Sequence, residues 1–193
     1  MRGQSSGEKL APTCQSGAMA AKGSARSTKR QTVLAARRAS CAVACEAVCS
    51  SDADIATKRA ELSALVRYAT PKGVQRPGDL RTPGVSELDG TKPAQGAIHH
   101  EHVVPVRLLV DRMLAGDDPA QVIDAALVAH VTRVEHQRIG TLVQVHAELY
   151  EKMKVAELGS LHRLARRRYT DRGLELAPIR EVIDPSSELD IED

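Results

Sequence analysis

Residues 97 to 105 run Ala97-Ile98-His99-His100-Glu101-His102-Val103-Val104-Pro105. Three imidazoles and one carboxylate fall in four consecutive positions between aliphatic flanks. Neither an ordinary helix nor an ordinary strand needs such a cluster. Imidazole and carboxylate are usual ligands for a divalent cation of intermediate hardness. An imidazole, titrating near neutral pH, can also act as a general base. The plain alternative is a solvated loop with incidental histidines, and the apolar flanks, Ile98 and Val103-Val104, argue against it.

On the N-terminal side, Thr70 to Gly96 is punctuated by Pro71, Gly73, Pro77, Gly78, Pro83, Gly84, Gly90, Pro93 and Gly96. That pattern predicts a long loop with room for short strands, and loops of that length are often functional. On the C-terminal side, Val106 to Leu114 predicts a helix ended by Gly116. Asp118-Pro119 supplies an N-cap with proline at the first helical position and opens a second helix, Ala120 to about Leu127. Val128 to Val131 suits a short extended piece. Thr132-Arg133-Val134-Glu135 matches a capping box, so a helix starts there and runs, with Gly140 as a potential break, to about Met153 or Leu158. His136 falls in its first turn, near the positive end of the helix dipole, where phosphate is favoured. Taken alone, His136 reads as a surface residue.

Together, Glu101-His102-Val103-Val104-Pro105 and, some thirty residues later, Thr132-Arg133-Val134-Glu135-His136-Gln137-Arg138-Ile139 resemble the HNH endonuclease superfamily, the ββα-metal fold. The likeness covers about 97–140. It implies a metal-dependent endonuclease that hydrolyses DNA phosphodiester bonds. Glu101 falls on the metal-ligand position, His102 on the general base and His136 on the second ligand, carried by the helix. Arg107, Arg133 and Arg138 could hold phosphate oxygens, with Arg138 the first choice. The implied cofactor is a divalent metal ion, Mg²⁺ first, with Mn²⁺, Ni²⁺ or Zn²⁺ as alternatives. The implied partner is nucleic acid, DNA rather than RNA. The family's middle asparagine has no counterpart, because the chain contains no Asn; His130 or Thr132 lies nearest its place. The glycine-rich hairpin of the family is replaced by the two helices expected over 106–114 and 119–127. In a regular strand Glu101 and His102 point to opposite faces. His100 then shares a face with His102, and is either the real ligand or a second one, while His99 pairs with Glu101.

Further out, Ser51 or Asp52 looks like the N-cap of a helix to about Tyr68, with Ile55, Leu62, Leu65 and Val66 facing inward. Residues 31–50 are Ala-rich and suit a weak helix; residues 1–30 lack periodicity and read as disordered. Residues 1–60 carry ten Lys/Arg against four Asp/Glu, which suits a solvated leader or a polyanion-binding arm. Cys41, Cys45 and Cys49 lie one helical turn apart. They lack zinc-type pairing and read as small apolar residues. His146 reads as a core-edge residue. A helix over Leu161 to Tyr169 follows, with Arg166, Arg167 and Arg168 as a solvated face. Residues 181–193 hold six acids and no base.

These readings combine into a mainly helical α+β fold. A small ββα-metal-like motif (97–140) sits inside one globular domain over 51–180. A disordered or weakly helical basic leader (1–50) precedes it and an acidic tail (181–193) follows. No spanning helix or export signal is expected, which makes a cytoplasmic location the default. The three aromatic residues, all Tyr, leave little for base stacking. Two other functions stay open. One is a non-catalytic nucleic-acid-binding or interaction protein that keeps the HNH-like fold. The other is a different metalloenzyme built on the His100-Glu101-His102 pattern of cupin barrels, which the helical C-terminal half disfavours.

Overall fold

In the computed structural model the described residues are 17–71, 78–88, 94–140 and 147–179. They form a mainly helical α+β fold around a small mixed sheet, as the sequence predicts. The elements in chain order are α1 (Gly17–Ser50), α2 (Ile55–Ala69), β1 (Leu80–Arg81), α3 (Pro83–Ser86), β2 (Ile98–His102), α4 (Val106–Leu114), α5 (Pro119–Ala125), β3 (Val128–Thr132), α6 (Arg133–Ile139), α7 (Ala147–Val155), α8 (Leu158–Thr170) and β4 (Ala177–Pro178). His146 and the acidic tail lie outside the described residues.

Local chemistry explains most boundaries. Asp54, rather than Ser51 or Asp52, caps α2; its carboxylate accepts from the backbone N–H groups of Ala56 and Thr57. Starting there turns Ile55 outward to solvent and leaves Leu62, Val66 and Ala69 as the inward face. Asp118 caps α5, with Pro119 in its first turn. Thr132 and Glu135 complete a reciprocal capping box on α6. Gly140, at φ +64°, ends α6 in a left-handed conformation.

The sheet order is β2-β3-β1-β4. Strands β2 and β3 run antiparallel, with Glu101 opposite Ala129 and His100 opposite His130. Strand β1 is parallel to β3 and antiparallel to β4. The two helices α4 and α5 fill the connection between β2 and β3 and bury Leu108, Leu109, Val110, Met113, Val122 and Ile123.

The core reaches further toward the N-terminus than the sequence suggests. Residues 17–50 form one helix, and its later half packs on α2, α4 and α5. Cys41 and Cys45 are buried there and Cys49 half-buried, all as free thiols. Among the described residues no helix is long and apolar enough to cross a membrane.

Candidate metal centre

The residue after β3 begins α6, and the Arg133 N–H donates to Ala97 O at 2.9 Å, which ties the start of the helix to the start of β2. This sets α6 over the β2 face that carries His99 and Glu101. His136 Nδ1 lies 3.5 Å from Glu101 Oε2. The rings of His99 and His136 stack with centroids 4.6 Å apart and planes 13° apart. Glu101 is largely buried, whereas His136 is open to solvent.

Arg168 reaches the same carboxylate from α8. Its Nη2 lies 2.7 Å from Glu101 Oε1. The same nitrogen donates to His102 O at 3.0 Å on the free edge of β2, and to the Tyr169 hydroxyl at 2.7 Å. The expected solvated arginine face therefore holds only in part: Arg168 is 4% exposed. Helical spacing places it with Leu161, Ala165 and Tyr169 on the inward side of α8. That spacing is the sequence signal for Arg168, and the run of three arginines hides it.

A cation fits these donors on one count. Glu101 Oε2 is buried and makes no hydrogen bond among the described residues, so one carboxylate oxygen remains available beside an imidazole. Among the described residues no group of three or more His, Cys, Asp or Glu is arranged around a common point. Stacked rings aim their in-plane lone pairs side by side, so His99 and His136 do not converge as they stand. The donor set suits a divalent ion that keeps part of its water shell.

The other face of the sheet holds His100, His102 and His130. His100 meets His130 edge-on, with centroids 4.6 Å apart. His130 is fully buried, with Nε2 4.0 Å from Asp79 Oδ2. His102 Nε2 lies 2.8 Å from Thr70 Oγ1, whose own proton goes to Val66 O at 2.9 Å. A hydroxyl has one proton, so the His102 Nε2–H donates to Thr70. Burial pushes the His102 pKa down to about 4; Arg67 and Arg168 add to the shift and Asp79 opposes it. His102 is thus neutral at pH 7.

The five expected site residues therefore divide. Glu101 and His136 come together. His100 and His102 stand on the opposite face, as strand alternation requires. Arg138, two positions beyond His136, turns away, and its Nη2 donates to Arg172 O at 2.9 Å. Arg107 and Arg133 are exposed. Of the two residues nearest the missing asparagine, His130 is buried beside Asp79 and Thr132 is the cap of α6. Thr70, in the C-cap of α2, carried no sequence signal toward His102. No family model, curated protein or solved structure matches the chain.

Proposed function

We propose that this chain is a metal-dependent HNH-type endonuclease that hydrolyses DNA phosphodiester bonds, with Glu101 and His136 holding the cation. The observation that carries the reading is this pair, contributed by a strand and by the helix after the next strand, with 3.5 Å between Oε2 and Nδ1. The antiparallel pairing of β2 with β3, followed directly by α6, supports the reading, although helices α4 and α5 fill the connection between the two strands. A divalent ion held by these two residues would supply positive charge to stabilise the phosphodiester transition state. Glu101 offers its unbonded oxygen, and the His99 ring keeps the His136 plane oriented. His102, the general base of the resemblance, stands on the opposite face of β2 with its Nε2–H committed to Thr70, so the water-activating role does not pass to it here.

The test is nicking of supercoiled plasmid with Mg²⁺, Mn²⁺, Ni²⁺ or Zn²⁺. Wild-type protein nicks with at least one of them, and Glu101→Gln and His136→Ala each abolish nicking while circular dichroism stays unchanged. Intact plasmid under all four metals overturns the reading.

One observation favours the second reading, a non-catalytic nucleic-acid-binding protein with the same fold. Arg168 already compensates the Glu101 charge from within the protein. That reading predicts salt-sensitive DNA binding without cleavage.

A further inference from the structure

The outer face of α8 borders an open cavity of about 680 Å³ between that helix and the β1–β4 side of the sheet. Arg163, Arg166, Arg167 and Thr170 line it from α8, at spacings that keep them on one side of the helix. Arg163 and Arg167 are exposed and Arg166 is half-buried. The other wall is Gly78 with the apolar Leu80, Leu127 and Pro178, and among the described residues no carboxylate lines it. His162 also borders the cavity, but its Nε2–H is spent on Ala125 O at 2.6 Å.

What sets the three arginines apart is that they line one concavity without an acidic partner among the described residues. Arg38, Arg59, Arg112 and Arg168 each pair with an Asp or Glu. Among the described residues, no carboxylate lies within ion-pair distance of Arg163, Arg166 or Arg167. Three uncompensated guanidinium groups around one concavity create a field that concentrates anions. Their planar forks match phosphate oxygens in particular. Arg163 and Arg167 sit one turn apart, about 6 Å along the axis, a spacing that suits neighbouring phosphates on one strand. Among the described residues no Tyr lines the cavity to stack on a base and the His162 ring is tied to Ala125 O, so recognition would be confined to the backbone and indifferent to sequence.

We infer that this cavity binds the phosphates of a nucleic-acid backbone through Arg163, Arg166 and Arg167. The inference rests on the nucleic-acid partner proposed above but requires no cleavage. Its test is therefore run in EDTA, where failure of the metal centre cannot affect it. A fluorescein-labelled DNA duplex is titrated with full-length protein across a salt series and followed by anisotropy. Each phosphate contact contributes about 0.9 to the slope of log K against log salt. The R163A/R166A/R167A variant should bind at least about tenfold more weakly at low salt, with the slope reduced by about two to three. Calorimetry with pyrophosphate separates the two sources of phosphate. Pyrophosphate binding that the triple variant loses, together with no duplex binding by wild type, overturns the nucleic-acid assignment in favour of a small phosphate ligand. Equal affinity and equal slope for wild type and a triple variant with unchanged circular dichroism overturns the inference altogether.

Discussion

Arg168 governs the Glu101 carboxylate. One terminal nitrogen of a buried guanidinium serves Glu101, the His102 carbonyl and the Tyr169 hydroxyl. Removing one partner of a buried ion pair leaves the other charge uncompensated. Arg168→Met should therefore cost about 3 kcal/mol in urea unfolding. Adding Glu101→Gln should recover part of the loss, since a neutral amide needs no counter-ion. A cost below about 1 kcal/mol would mean that water already screens the pair. The same substitution bears on the cation. If Glu101 and His136 hold a divalent ion, Arg168 competes with it, and Arg168→Met should bind Mn²⁺ or Zn²⁺ more tightly than wild type in calorimetry. Weaker binding would assign the guanidinium a supporting role instead. The Glu101–His136 pair was legible in the sequence because it follows a known spacing. Arg168 was not, because the His102 carbonyl that it bonds lies 66 positions away, beside Glu101, and nothing local announces so distant a contact.

At the scale of elements, Glu135 holds two helices at once. Its Oε2 accepts from Thr132 N and Thr132 Oγ1, both at 2.8 Å, which caps α6. The same oxygen accepts from Thr82 Oγ1 at 2.6 Å, and the Gly84 N–H also bonds the carboxylate at the start of α3. Burial alone would raise the Glu135 pKa; the hydrogen bonds from Thr82, Thr132 and Gly84 outweigh it and hold the group below the usual carboxylate range. A depressed folded-state pKa stabilises the protein above the unfolded value, and that contribution drains away as pH falls through the folded one. Wild-type stability should thus decline below about pH 4.5, and Glu135→Gln should flatten that decline in urea titrations at several pH values. An unchanged acid limb in the variant would show that Glu135 contributes nothing there. Gly84 is constrained by the same carboxylate. A Cβ at that position would sit 2.8 Å from Glu135 Oε1, and the hydrogen bonds from Thr82 and Thr132 keep the acid from yielding. Gly84→Ala should cost about 1–3 kcal/mol in thermal or urea unfolding, and no measurable cost would mean the carboxylate moves freely. The capping box was readable because it is written in four adjacent letters. The link to α3 was not, because Thr82 is 53 positions away.

At the scale of the whole molecule, α1 is part of the core rather than a leader. Its Ala-rich sequence marks an inward face only near its end, through Cys41, Cys45 and Cys49, so docking on α2, α4 and α5 decides the helix more than its own pattern does. Arg38 fastens it further by donating to Ile123 O and Asp124 of α5. Burial, with Cys41 and Cys49 adding, pushes the Cys45 thiol up to about 12, and only thiolates react readily. In a Cys14→Ser background, a thiol reagent at pH 8 should leave Cys45 unmodified in the native protein and label it in urea. Rapid native labelling would detach α1 from the core. The sheet-and-helix unit of β2, β3 and α6 has a related dependence. Its acid is neutralised by a side chain from α8, and one of its imidazoles is held by the end of α2. That unit is accordingly no portable cassette: grafted into another scaffold, or expressed as a minimal fragment, it would carry its histidines and glutamate without the surroundings that set their charge. Any enterprise that treats those forty-odd residues as a transplantable module begins from the wrong boundary.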